Sequence, residues 1–288
     1  MAASDFAREA AASDTPRQSV AFDLTGRVVV VTGGTRGIGR AITQRFLGAG
    51  ADVVVCGRNQ PAEHDLPGTE GPDGARRRAV FATADIRDAE QAASVITAAV
   101  DRFGRIDTLV NNAGGSPEAP AATVSPRFSA AIVALNLLAP LYCAQAANSV
   151  MQDQPEGGSI INIGSISGMR ASPGTAAYGA AKAGLINLSQ TLAVEWAPKV
   201  RVNCLSAGLI ATEAADDHYG GAEGLAAVAG TIPAGRLGTP EDIAGLCLVL
   251  SVGSLAGYVT GANLLANGGG EWPAYLTAAA RFSQPAPG

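Results

Sequence analysis

Val28-Val29-Val30-Val31-Thr32-Gly33-Gly34-Thr35-Arg36-Gly37-Ile38-Gly39 runs from a β-branched string straight into a glycine-rich turn. Four valines in succession suit a strand covered on both faces, as in a parallel sheet, because neither face has to meet water. Beyond the turn, Ala41, Ile42, Phe46 and Leu47 recur at helical spacing. Strand, glycine turn and helix form the context a dinucleotide site needs. Glycines let the backbone approach a pyrophosphate, and the helix start offers unpaired N–H groups at the positive end of its dipole. The spacing is T-G-x-x-x-G-x-G, not the more widespread G-x-G-x-x-G. Taken alone, such a turn also serves as a purely structural device.

Working outward, candidate strands at 27–32, 52–56, 79–82, 107–111, 159–163, 201–205 and 263–266 alternate with helical patterns at 37–48, 88–103, 127–151, 176–196 and 240–251. The alternation predicts an α/β chain: a Rossmann-like, doubly wound parallel sheet with helices on both faces, in a single domain. Thr239-Pro240-Glu241-Asp242 is a strong helix start, with a hydroxyl cap, proline in the first turn and acids at the positive end. Ligands of such sheets sit beyond the carboxyl ends of the strands, where Gly33, Asn111 and Ser165 fall.

A second group of residues carries chemistry. In Tyr178-Gly179-Ala180-Ala181-Lys182 the tyrosine and lysine stand one helical turn apart, and Ser165 lies thirteen residues before the tyrosine. A phenol titrates near ~10, too high for proton exchange at neutrality, and an ammonium about 4 Å away would supply the energy to bring it towards 7. The spacing predicts a proton donor tuned by its neighbour. Asn136, inside the apolar Ala134-Leu135-Asn136-Leu137-Leu138, requires a buried hydrogen-bond partner.

Thr32 to Gly39, Asn111-Asn112-Ala113-Gly114, Ser165, Tyr178 and Lys182, in that order, resemble the short-chain dehydrogenase/reductase superfamily over about Phe22 to Gly270. The resemblance is to its single-domain alcohol and ketone oxidoreductases, with the 3-oxoacyl-thioester reductases among the nearest in motif. It implies a catalytic set of Asn136, Ser165, Tyr178 and Lys182, and a nicotinamide cofactor held by Gly33, Thr35, Arg36, Gly37, Ile38 and Gly39. Asp85 and Ile86 would meet the adenine, while Asn112, Ala113 and Gly114 would close the groove. Tyr178 and Lys182 would reach the nicotinamide ribose, and Gly208, Ile210 and Thr212 the carboxamide. Ala207-Gly208 replaces the family's Pro-Gly, which predicts a looser turn. At the end of the second strand, where a carboxylate would select NAD, this chain has Gly57 followed by Arg58, and Arg36 approaches from the other side. That pattern predicts NADP(H) rather than NAD(H).

The resemblance further implies a small carbonyl or alcohol substrate under a lid at 213–237, where Tyr219, Leu225 and Val228 could line a pocket or simply pack. Gly115 to Ala122 and Met169 to Pro173 would be the other walls, with Arg170 either solvated or facing an acidic substrate. Helices 127–151 and 176–196 are apolar on more than one face, which with the family pattern predicts a homo-oligomer, a tetramer or a dimer. Alternatives are an NAD-dependent alcohol or hydroxysteroid dehydrogenase, or a non-catalytic nucleotide sensor of the same fold.

The composition agrees with this outline. The 288 residues are 47% hydrophobic and 16% charged, ample for a large core, and a net charge of −5 with no dense basic field argues against nucleic acid. Arg76-Arg77-Arg78 reads as a solvated loop within the surface segment 58–78. Cys56, Cys143, Cys204 and Cys247 are scattered and read as buried, reduced thiols of a cytoplasmic protein, and His64 and His218 are too isolated for a metal site. No uninterrupted apolar run of about 18 residues suggests a membrane span, and residues 1–20 lack a secretory pattern. The expected organisation is a loose arm over 1–21, the oxidoreductase domain over 22–270 and an extension over 271–288.

Overall fold

A computed structural model describes residues 22–213 and 219–280. The strands are β1 (Val28–Thr32), β2 (Asp52–Gly57), β3 (Gly68–Glu70), β4 (Arg76–Arg78), β5 (Val80–Thr83), β6 (Thr108–Asn111), β7 (Gly158–Ser165), β8 (Val200–Ala207) and β9 (Asn263–Ala266). Seven of them pair in parallel in the order β5-β2-β1-β6-β7-β8-β9. The order reverses beside β1, and that switch point opens the crevice above β1 and β6. All five residues of β1 are buried. Val28 and Val30 enter one hydrophobic core and Val29 and Val31 the other, so the valine run is what a strand between two helical layers demands.

The helices are α1 (Gly37–Gly48), α2 (Ala89–Phe103), α3 (Pro126–Val133), α4 (Ala139–Asp153), α5 (Ala176–Trp196), α6 (Gly221–Ala229), α7 (Pro240–Ser251), α8 (Gly253–Ala256) and α9 (Ala274–Ala280). Residues of α2, α4 and α5 build one core, and those of α1 and α7 the other. Local chemistry sets the ends. Asp88 caps α2 by accepting from the Gln91 N–H, and Gly104 closes it at φ 78°. Thr239 and Asp242 form a reciprocal capping box at α7.

Three elements differ from the sequence reading. The helix expected over 127–151 is interrupted by a π-helical segment, Ala134–Leu138, centred on Asn136. The cause is the asparagine itself. Its Nδ2 donates to the Ile132 carbonyl at 2.9 Å and competes with the backbone ladder. The segment 58–78, expected as loop, contains the antiparallel β3–β4 pair. Arg76-Arg77-Arg78 is therefore a strand rather than a solvated loop, its turn closed by Arg77 on Asp73 at 2.6 Å and its end tied by Arg78 to the Glu63 carbonyl. The lid region carries α6, although residues 214–218 lie outside the described residues. So do the expected arm at 1–21 and the expected loose tip at 283–288.

The stretch Pro126–Asp153, with a mean hydropathy of 1.6, is long and apolar enough to cross a membrane by length and composition. In the fold it flanks the sheet, with Ala139, Cys143, Ala144, Ala147 and Met151 buried. All four cysteines are buried and unpaired.

Candidate active site

The glycine turn follows β1 because only glycines fit it. Gly33 and Gly37 adopt φ of 64° and 49°. A Cβ on Gly39 would lie 2.2 Å from the Gly33 carbonyl oxygen and 2.5 Å from Asn112 Nδ2. Arg36 is the N-cap of α1 without a side-chain cap bond, and the first turn holds no acid, so the leading N–H groups around Gly37 and Ile38 stay available to an anion. Such a cradle fits the pyrophosphate of a dinucleotide.

The opposite side of the groove is clamped to the turn. The Thr32 hydroxyl accepts from the N–H groups of Asn112 and Ala113 at 3.0 Å each. Asn112 Nδ2 returns bonds to the carbonyls of Thr32 at 3.0 Å and Gly33 at 3.3 Å. Asn111, one residue earlier, is buried and ties β6 to β7 through Asn162 at 2.8 Å. Thr43 completes the turn from within α1, its hydroxyl donating to the Gly34 and Gly39 carbonyls. Thr32 entered the sequence reading only as the first residue of the glycine motif, without a role, and Thr43 did not enter it, although a hydroxyl at the last strand position before a glycine turn is a usable signal.

At the far end of the groove, Gly57 ends β2 and Arg58 and Arg36 are exposed. Among the described residues neither guanidinium is held in an ion pair. Arg40, by contrast, is spent on the carbonyls of Thr35 and Asp65, and Arg87 on Asp85. The Arg87 pairing holds the Asp85 carboxyl below its ordinary range. Ile86 is buried against the sheet.

Ser165 ends β7, and Tyr178 and Lys182 project from the first turns of α5, which packs against the segment just beyond Ser165. Lys182 Nζ lies 5.6 Å from the centre of the Tyr178 ring and donates to the Ile163 carbonyl at 2.7 Å. Asn136 Nδ2 also donates to the Gly115 carbonyl at 3.0 Å, and its Oδ1 accepts from the Gly115 N–H at 2.9 Å. A Cβ on Gly114 would stand 2.7 Å from Asn136 Oδ1 and 3.3 Å from Lys182 Nζ, so only glycine passes between them. The structure thus brings Asn136, Ser165, Tyr178 and Lys182 to one place beside Gly114.

The electrostatics correct one expectation. Burial pushes the Tyr178 phenol above its ordinary value, and the Ser165 hydroxyl recovers only part of that. The i, i+4 spacing suggested a lowered value, but burial sets the direction. The Lys182 ammonium is itself desolvated and pushed down to about 8, and its hydrogen bond goes to the sheet. The resting tyrosine is therefore a protonated acid.

On the nicotinamide side, Gly208 is required by close approach, since a Cβ there would lie 2.6 Å from Asn267 Cα. The turn after Ala207 is not loose without its proline. Gly208 N–H donates to Ala266, Gly238 N–H to Leu209 and Ala211 N–H to Gly238. Ile210 bridges to Gly238, and Thr212 faces Gly37 across the groove. The first expected substrate wall meets the residue just beyond the second, where the Ala119 N–H donates to the Gly174 carbonyl at 2.8 Å. Beside that bond is a cavity of about 80 Å³ lined by Ser116, Ala119, Val124, Phe128 and Thr175. Tyr219, Leu225 and Val228 are half-buried.

A family model described as enoyl-(acyl carrier protein) reductase matches residues 33–271. A Bacillus subtilis (strain 168) protein named "Probable 2,4-dienoyl-CoA reductase" is 34% identical over 253 residues, spanning 85% of this chain and 96% of that one. A 3-oxoacyl-(acyl-carrier-protein) reductase of a Synechocystis species is 35% identical over 247 residues, spanning 85% and 97%. A Sinorhizobium meliloti crystal structure named "putative short-chain alcohol dehydrogenase" superposes with a TM-score of 0.77 at 36% identity, covering 87% of this chain and 98% of that one.

Proposed function

Since the chain belongs to the short-chain dehydrogenase/reductase superfamily, we propose that it interconverts a ketone and a secondary alcohol, using NADP(H), with Tyr178 as the proton-exchanging group. The observation that carries this reading is that Asn136 and Lys182 flank Gly114, Lys182 lies over the Tyr178 ring, and Tyr178 meets the Ser165 hydroxyl at the carboxyl end of β7. A non-catalytic nucleotide sensor would have no use for a fully buried lysine, which costs stability.

When bound, the nicotinamide cofactor supplies or takes up the hydride. The chain's own residues do the rest. The Ser165 and Tyr178 hydroxyls donate hydrogen bonds to the carbonyl oxygen and stabilise the charge it acquires. Tyr178 gives up its proton to that oxygen as the C–H bond forms, yielding the alcohol. A phenol kept protonated by burial suits this direction at neutral pH. Lys182, fixed to Ile163, orients the ribose, and its ammonium compensates the tyrosinate left behind. We assign Asn136 to the path by which the proton is replenished from Lys182, both side chains lying close against Gly114.

NADP(H) is supported by what the arginines are doing. Among the described residues Arg36 and Arg58 are in no ion pair, whereas Arg40 is held by carbonyls and Arg87 by Asp85, and no acid stands at Gly57 to repel a 2′-phosphate. Substrate identity rests on less. Two of the relatives above are named as acyl-thioester reductases, one of them for a 3-oxoacyl carrier-protein thioester, so a 3-oxoacyl thioester is the leading candidate within the ketone class.

The test is a panel of 3-oxoacyl thioesters, their esters and simple ketones, followed at the nicotinamide absorbance with NADPH and with NADH. The expected result is turnover with kcat/KM for NADPH at least tenfold above NADH. A preference for NADH would reject the cofactor assignment, and cofactor binding with no turnover of any carbonyl would reject the reaction.

A further inference from the structure

Arg170 stands five residues beyond Ser165, early in the loop from β7 to α5. Glu271 follows Gly268-Gly269-Gly270 on the segment leading to α9. Those glycines hold φ of 63°, 94° and 88°, which turns the chain back across the lid. Arg170 Nη2 and Glu271 Oε1 meet at 2.5 Å, and Arg170 Nη1 donates to the Ala171 carbonyl at 2.9 Å. Tyr219, at the entry to α6, senses both charges: after burial, Glu271 raises its pKa and Arg170 lowers it. Backbone bonds hold the same junction, Trp272 N–H to Thr231 and Ala234 N–H to Gly268, each at 2.9 Å. Three segments around the substrate side therefore converge on one ion pair.

An arginine on the loop that follows the Ser165 strand is a group suited to seize a substrate carboxylate, because its planar fork matches one. Here a carboxylate of the same chain already occupies it. A tethered group acts at an effective concentration on the order of millimolar, so a free acid below that level does not displace it. We propose that Glu271 is a specificity-determining residue: by neutralising Arg170 it reserves the entrance for ketones whose reacting end is uncharged and disfavours keto acids. This rests on the ketone-reducing reading above. The pair is half-exposed, at 42% and 36% for the two side chains. Such pairs contribute little to folding, so removing one leaves the fold intact.

The test uses the full-length enzyme with NADPH and matched pairs of 3-oxo and 4-oxo carboxylates and their methyl esters. The wild type is expected to favour the esters. Glu271→Gln should raise the acid-to-ester ratio of kcat/KM roughly fivefold, the size an exposed ion pair supports, and adding Arg170→Gln should cancel that gain. A wild-type preference for the acids, or a Glu271→Gln effect equal on both members of a pair, would overturn the assignment. Turnover of esters with an unchanged ratio would overturn it while sparing the proposed reaction, whereas no turnover of any ketone would remove both.

Discussion

Lys182 is placed where a lysine is least comfortable, and its cost is measurable. Desolvation holds its pKa at about 8 in the folded chain against 10.5 outside it. Between those values the unfolded chain keeps a proton that the folded chain has released, so stability rises with pH through that window. Below about 8 the folded state carries the whole penalty, roughly 3 kcal/mol. Lys182→Met should therefore raise Tm at pH 7 by about 2–6 °C, after allowing for the lost bond to Ile163. The gain should shrink towards pH 10, and turnover should fall at least a hundredfold. A Tm lowered at pH 7 by calorimetry would contradict this. In the wild type, kcat/KM for ketone reduction should decline above about pH 8 as the ammonium is lost.

At the scale of elements, the β1–α1 turn is the tightest constraint. Helix propensity alone would favour Gly39→Ala by about 1 kcal/mol. The clash with the Gly33 carbonyl at 2.2 Å decides the sign the other way. The variant should lose about 1–3 kcal/mol in denaturant unfolding and bind cofactor at least tenfold more weakly by fluorescence titration. Stability and affinity equal to the wild type would show that the turn has slack. The core strands and the long helices were legible because a strand buried on both faces must be apolar throughout, and because Thr239 and Asp242 write a cap in plain residue types. The β3–β4 pair was not, since three-residue strands of glycine, threonine and charge carry no periodic signal. Nor was the π-helical segment, which depends on where one asparagine amide points. Spacing put Tyr178 and Lys182 side by side, but the direction of the tyrosine shift is set by burial, with the Ser165 hydroxyl acting against it, and spacing does not reveal how deeply the phenol is buried.

For the whole molecule, the helices flanking the sheet leave apolar side chains uncovered among the described residues. In Pro126–Asp153 only 39% of the most apolar window is buried within the chain, and Leu138 and, on α5, Val194 are exposed. We propose that a second copy covers these side chains in a symmetric dimer or tetramer. Light scattering at micromolar concentration should return a multiple of 28.8 kDa, and a monomeric mass would contradict it. The catalytic account itself is tested most directly by Tyr178→Phe, measured for cofactor binding and for ketone turnover in the same preparation. It predicts binding within about twofold of the wild type and turnover lower by roughly 10²–10⁴-fold, the range expected when a positioned acid is removed. Undiminished turnover in that variant would contradict it.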